Sequence, residues 1–201
     1  MLMFGRILVL ASCIASAGFL GSCAKYTPHE LQKPIGLSKE VENVKVTAAV
    51  LSDADCHYYF SRRMASKGYV AVQLLIQNRG NDTFCLNADS IGLQLEDREI
   101  ISQALHLNTF NRVVAYLIPS LFLWPFFIPA AVEGVKSNNA NRSLDRDFSR
   151  RFIDSYSRLI IRPGCTVNKV MVVRSENLQP SFDVVLQNKN TKTKYPLTLS
   201  I

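Results

Sequence analysis

The feature that constrains this chain most is an uncharged apolar run in its middle, VVAYLIPSLFLWPFFIPAAV at residues 113–132. The run meets the length of about 20 residues that a transmembrane helix needs. Pro119, Pro125 and Pro129 interrupt it, and each proline inside a helix removes a backbone donor and strains the helix. A full span would also separate the strands predicted on either side of it. We therefore predict a hydrophobic insertion bent by its prolines.

Three interpretations of this insertion remain open: it dips into a membrane, docks on a partner protein, or covers a face of its own domain. Tyrosine and tryptophan are the side chains that favour a membrane interface, and the run holds one of each. The residues predicted to contact membrane or partner are Tyr116, Leu121, Phe122, Trp124, Phe126 and Phe127. An alternative function is a small-molecule or lipid-binding module with an apolar pocket lined by residues 113–132.

Short stretches of alternating or β-branched apolar residues flank the insertion and predict strands. The predicted strands cover Val44–Val50, His57–Phe60, Tyr69–Asn78, Thr83–Leu86, Ser90–Leu95, Arg158–Ile161, Thr166–Val173, Phe182–Gln187 and Tyr195–Ile201. This pattern is typical of a mainly β chain, folded as an antiparallel β-sandwich. Immunoglobulin-like topology is one option, although the Cys…Trp…Cys hallmark of that fold is absent. We expect a single domain over residues 43–201, with a partly helical insertion at about 105–156.

A helix is predicted after the apolar run, over residues 141–156. Its apolar side chains recur every four residues and give one stripe, formed by Leu144, Phe148, Phe152 and Tyr156. Asn141 is the expected N-cap. Three arginines share another side of this helix: Arg142, Arg146 and Arg150. We favour solvated arginines, some paired with Asp145, Asp147 or Asp154, over contact with lipid phosphates.

The N-terminus has the form of a secretory signal, because Arg6 precedes the short uncharged stretch Ile7–Leu20. Leu20-Gly21-Ser22-Cys23 then resembles the lipobox of bacterial lipoproteins. The resemblance implies cleavage before Cys23, acylation of that cysteine and a lipid anchor. It also implies, from Ala24, sorting to an outer membrane, with the domain facing the periplasm or the cell surface. Residues 1–22 are then a signal peptide.

Residues 23–42 are predicted to form a lipidated tether, since they are polar and contain Pro28 and Pro34. Cys56, Cys85 and Cys165 remain after acylation of Cys23. In an oxidising compartment one disulfide among them is expected. Three pairings are open, and Cys85–Cys165 is preferred because both residues fall near strand ends.

No catalytic motif, cofactor motif or metal-binding spacing stands out in the sequence. Asp53-Ala54-Asp55-Cys56-His57 is the nearest approach to a metal cluster, and we interpret it as a turn whose carboxylates cap backbone amides. The net charge of +7 includes no long run of lysine or arginine, which argues against nucleic-acid binding. The chain is therefore predicted to be a non-enzymatic, lipid-anchored cell-envelope protein that works by binding or structural contact.

Overall fold

The computed structural model describes residues 26–120 and 127–201. The described residues form two compact units. The sheet unit comprises residues 27–105 and 145–201, and the helix unit comprises Tyr26 with residues 106–144, apart from 121–126.

Nine strands form two sheets in the sheet unit. Their bounds are β1 Ser38–Val41, β2 Val44–Leu51, β3 Tyr69–Asn78, β4 Phe84–Asn87, β5 Phe152–Ile153, β6 Arg158–Ile161, β7 Thr166–Arg174, β8 Ser181–Asn188 and β9 Lys194–Ser200. Sheet A has the order β1-β2-β3-β7-β5, and sheet B has the order β6-β4-β8-β9. All named pairs are antiparallel except β5 with β7.

One hydrophobic core joins the two sheets. Alternate residues of β2 and β3, such as Val46 and Leu74, pack in it with Leu186 and Leu199 of sheet B. Because successive side chains of a strand point to opposite faces, this alternation places one face of each sheet on the core. The prediction of a sheet-rich fold is thereby confirmed, since the two mostly antiparallel sheets share one core as in a sandwich; immunoglobulin-like topology is not confirmed.

The other face of sheet A is buried as well. Gln73 alternates with the core residues Val72 and Leu74, yet it is 2% exposed. An aromatic layer of Phe60, Phe148 and Phe152 contributes to this burial, with ring centroids 3.9–5.8 Å apart. β3 is therefore buried on both sides, which explains its almost continuous apolar sequence, YVAVQLLIQN.

Four α-helices lie among the described residues: α1 Asp53–Phe60, α2 Arg98–Leu105, α3 Thr109–Ser120 and α4 Phe127–Arg151. Single turns of 3-10 helix occur at Ala65–Lys67, Ala88–Ser90 and Ser175–Asn177. The fold is thus mixed, and the prediction of a mainly β chain needs correction because the helices occupy almost as much of it as the strands.

The strand predicted at His57–Phe60 was wrong, because those residues form the end of α1. A capping box starts this helix: the hydroxyl of Ser52 accepts from the backbone N–H of Asp55, and the Asp55 carboxylate accepts from the backbone N–H of Ser52. Both backbone N–H groups, which would otherwise lack an acceptor at the start of a helix, are thus hydrogen-bonded. This favours a helix over the extended conformation that the aromatic residues suggest.

Two further predicted elements differ in their bounds. The strand expected at Ser90–Leu95 is replaced by the 3-10 turn Ala88–Ser90 and an isolated bridge from Ile91 to Val184. The tether predicted at residues 23–42 ends earlier than expected, because Ser38–Val41 is strand β1 of sheet A.

The helix predicted over residues 141–156 runs instead over residues 127–151. Leu144, Phe148 and Phe152 are buried as the stripe predicted, whereas Tyr156 is 86% exposed and lies beyond the helix. Asn141 is inside the helix, so it is not the N-cap.

The preferred disulfide Cys85–Cys165 is not formed in this structure. Cys56, Cys85 and Cys165 are all free thiols, the first two buried and the third exposed. The thiol of Cys85 accepts instead from Nε of Arg158 across 3.0 Å. Proximity to strand ends in the sequence did not bring the two sulfur atoms together.

Candidate functional site

The described residues of the apolar run lie in two helices, α3 and α4, and the burial of α4 shows which side of that helix is packed. Its buried residues in the helix unit are Ala130, Glu133, Ser137, Ala140 and Leu144. They recur at intervals of three or four, which places them on one face of the helix. This face is small and polar rather than strongly apolar.

Polar contacts join α3, and the residues just before it, to this buried face of α4. Nη1 of Arg112 donates to Oε1 of Glu133 across 2.5 Å, and the hydroxyls of Thr109 and Ser137 lie 3.1 Å apart. Asn141 bonds both the N–H and the carbonyl of Leu107, at 2.8 and 3.1 Å. In these contacts, residues later in α3 pair with residues earlier in α4, so the two helices run antiparallel.

A second set of side chains on the same helices is apolar and exposed. We call Ile118, Phe127, Ile128, Val132 and Val135 the exposed apolar set; they are between 37% and 62% exposed. Ile128, Val132 and Val135 have the spacing of one helix face. Single exposed apolar residues are common, but a concentration of this kind on one helix pair usually marks a contact surface.

Charge is scarce where these residues lie. No residue from Val113 to Val132 carries a charge, and Arg112 and Glu133 at the two ends of this run neutralise each other. The carboxylate of Glu133 is 6% exposed, so the ion pair removes a charge that would otherwise be buried alone. Within residues 113–132 the helix pair therefore presents no charged side chain, and the nearest charge outside the ion pair is the exposed Lys136, which follows Val135.

The predicted contact residues have different outcomes. Phe127 is exposed, whereas Tyr116 is partly buried. Leu121, Phe122, Trp124 and Phe126 lie outside the described residues, as does the predicted lipidation site Cys23. Sequence reasoning missed Ile118, Ile128, Val132 and Val135, although the helical spacing of the last three could have indicated them. No helix among the described residues is long and apolar enough to cross a membrane.

The carboxylates of Asp53 and Asp55 do not build a metal site. Asp55 caps α1, and Oδ2 of Asp53 lies 3.9 Å from Nε of Arg63. No group of three or more His, Cys, Asp or Glu side chains with metal-binding geometry occurs in the described ranges. Burial, followed by the charges of Asp53 and Asp55, raises the pKa of the Cys56 thiol to about 12, which makes it a poor nucleophile at neutral pH.

Comparison with known proteins found no matching family model, no similar curated protein and no similar solved structure.

Proposed function

We propose that this protein is a lipid-anchored component of the cell envelope that acts by binding, with α3 and α4 as a second contact to the membrane that holds its lipid. The observation that carries the membrane contact is the exposed apolar set, of which all members but Val135 lie within the uncharged residues 113–132. The lipid anchor rests on the lipobox-like residues Leu20-Gly21-Ser22-Cys23. No catalytic role is proposed.

A bilayer is the contact that best fits both features. A chain acylated at Cys23 stays beside lipid, so the local concentration of bilayer surface is high and a modest apolar contact suffices. Burying the exposed apolar set contributes roughly 25 cal/mol for each Å² removed from water. Ala24 favours the outer membrane, with the domain on its periplasmic face or at the cell surface.

Lipidation is tested by metabolic labelling with palmitate. The full chain should incorporate label, and Cys23→Ser should incorporate none. Label that persists in Cys23→Ser would contradict the anchor.

The helix contact is tested on residues 24–201 without lipid, by flotation with vesicles of phosphatidylethanolamine and phosphatidylglycerol. The protein should float, and Ile128→Asn with Val132→Asn should remove most of the floating fraction. Ile160→Asn is the matched control, because Ile160 is an isoleucine of sheet B with 48% exposure and should leave flotation unchanged.

The outcomes distinguish two surfaces that could cover the exposed apolar set: a membrane and a protein partner. Equal flotation of all three proteins, or flotation of none while circular dichroism shows that they are folded, contradicts the membrane contact. The second result would direct attention to a protein partner of the envelope, which pull-downs with the same variants would identify.

A further inference from the structure

The segment predicted to be a free tether is bound to the sheet unit over much of its length. We call residues 27–36 the latch. The backbone N–H of His29 donates to the carbonyl of Tyr59, and the imidazole of His29 stacks on the ring of Tyr58 with centroids 4.2 Å apart. Thr27 bonds the hydroxyl of Ser61 through both its N–H and its carbonyl, at 3.3 and 3.2 Å.

Side chains of sheet A hold the middle of the latch by its backbone. Nε2 of Gln73 donates to the carbonyl of Gln32 across 2.6 Å, and Nδ2 of Asn168 donates to the carbonyl of Leu31 across 3.1 Å. Arg151 donates to the carbonyl of His29. Backbone recognition by buried or half-buried side chains is costly to break, since each freed group would lose its partner away from water.

The end of the latch passes so close to sheet A that only glycine fits. A Cβ on Gly36 would lie 2.3 Å from the carbonyl oxygen of Ala48, a residue of β2. The latch therefore crosses the outer face of sheet A, from Asn168 on β7 past Gln73 on β3 to Ala48 on β2, before it becomes β1.

This geometry limits how far the body can move from a lipid on Cys23. Cys23 precedes Thr27 by four positions, and an extended chain spans at most about 3.6 Å for each residue, or about 14 Å in all. A free tether over residues 23–42 would reach about 70 Å on the same basis. A tether this short restricts both the height and the orientation of the sheet unit.

We infer that the surface around Thr27, Ser61 and Arg63, here called the anchor face, is held against the phospholipid surface, and that the outer face of sheet B points away from it. The inference rests on the proposed acylation of Cys23. Arg63 lies 3.9 Å from Asp53, yet its side chain is 71% exposed, so its other guanidinium nitrogens can reach lipid phosphates. The outer face of sheet B lies on the opposite side of the two sheets from the latch, and packed sheets are usually about 10 Å apart.

The test places a fluorophore on the lipidated protein, at Ser66→Cys in one sample and at Ser200→Cys in the other; Ser66 is exposed and its hydroxyl donates to the carbonyl of Arg63, so the probe sits beside Arg63 and keeps its side chain. Ser200 is exposed on β9 of sheet B, and Cys165→Ser removes the exposed native thiol from both samples. The proteins are reconstituted into vesicles that carry a nitroxide on the phospholipid headgroup. We expect quenching at position 66 to be several-fold stronger than at position 200.

A variant that releases the latch provides the comparison. Gln73→Leu with Asn168→Leu removes the two donors to Leu31 and Gln32, so the difference in quenching between the two positions should shrink. Amide exchange in the unaltered protein gives a readout independent of lipid, and the N–H of His29 should be protected.

The outcomes separate the inference from the proposed function. If the lipidated protein does not float with the vesicles, the proposed lipid anchor is contradicted, and the inference that depends on it is contradicted too. Flotation with equal quenching at positions 66 and 200, or exchange at His29 as fast as in an unstructured peptide, overturns the inference and leaves the anchor intact.

Discussion

The side-chain amide of Gln73 donates to the backbone carbonyl of Gln32 across 2.6 Å, from a residue that is 2% exposed. The same nitrogen lies 2.8 Å from Oδ1 of Asn168. β3 thus carries two buried polar side chains, Gln73 and Asn78, and the partners of Gln73 belong to the latch and to β7. Sheet A and the chain segment that crosses it depend on each other for this contact.

Substitution of this glutamine should loosen the latch. Gln73→Leu removes both contacts and leaves buried acceptors with fewer donors, so we expect a loss of about 2 kcal/mol in the free energy of unfolding. Urea titration measures the loss, and limited proteolysis should cut residues 27–36 sooner. Gln77→Leu, on the same face of β3 but partly exposed, is the control and should have a smaller effect. Equal effects of the two substitutions would show that the latch contact is unimportant.

The ion pair between α3 and α4 should be sensitive to removal of one partner. Arg112→Met leaves the buried carboxylate of Glu133 without its cation, and we expect a loss of about 2–3 kcal/mol, at the low end for buried pairs because Arg112 is partly exposed. Thermal unfolding measures it. Adding Glu133→Leu should recover most of the loss, since the lone charge is then gone. Asn139→Ala, on an exposed position of α4, should change stability little.

The capping box should account for much of the local stability of α1. Ser52→Ala removes the acceptor for the N–H of Asp55, and we expect a loss of about 1 kcal/mol in the free energy of unfolding. Ser155→Ala, an exposed loop serine, is the matched control for the substitution. If the two variants unfold at the same urea concentration, the cap does not stabilise the helix.

Alkaline pH should destabilise the protein through Cys56. Burial and the charges of Asp53 and Asp55 raise the pKa of its thiol from 9.0 to about 12, so the folded state keeps a proton that the unfolded chain releases. The contribution to stability is therefore complete below pH 9 and is lost as pH rises from 9 towards 12.

Urea titrations over that pH window measure the effect. The free energy of unfolding should fall more steeply with pH in the unaltered protein than in Cys56→Ala, because the alanine variant has no thiol to titrate. Cys165→Ser, at an exposed cysteine, should keep the steeper dependence. If the free energy of unfolding depends on pH in the same way in the unaltered protein and in Cys56→Ala, the thiol has the same pKa in the folded and unfolded states.

The strands were predictable where one face is buried and the other is solvated. β8 and β6 lie within one residue of their expected bounds, since alternation and turn residues mark them clearly. α1 was not predictable from its aromatic residues, because the deciding contact is a cap formed by Ser52 and Asp55 rather than hydrophobic periodicity. Only part of the candidate site was foreseen: its position followed from the uncharged run, whereas the exposed members of α4 became clear only once the buried stripe was known.

The latch was missed for a different reason. Its polar sequence and two prolines are typical of a linker, and the groups that bind it recognise its backbone carbonyls, which every residue carries. A side-chain pattern cannot reveal a contact of that kind. Gly36 was the one visible sign, since a glycine can mark a close backbone approach.

The pairing of β3 with β7 also sets the order in which the protein can be built. The two strands join residues about 90 to 105 positions apart, and the segment between them includes α3 and α4. As the chain emerges from its N-terminus, β2, β3 and the latch are available early, but β3 lacks a partner on one side until Thr166–Arg174 arrives. Such a nascent chain carries an apolar, half-paired strand for nearly half of its synthesis, and over that interval the open edge of β3 can pair with other chains and aggregate.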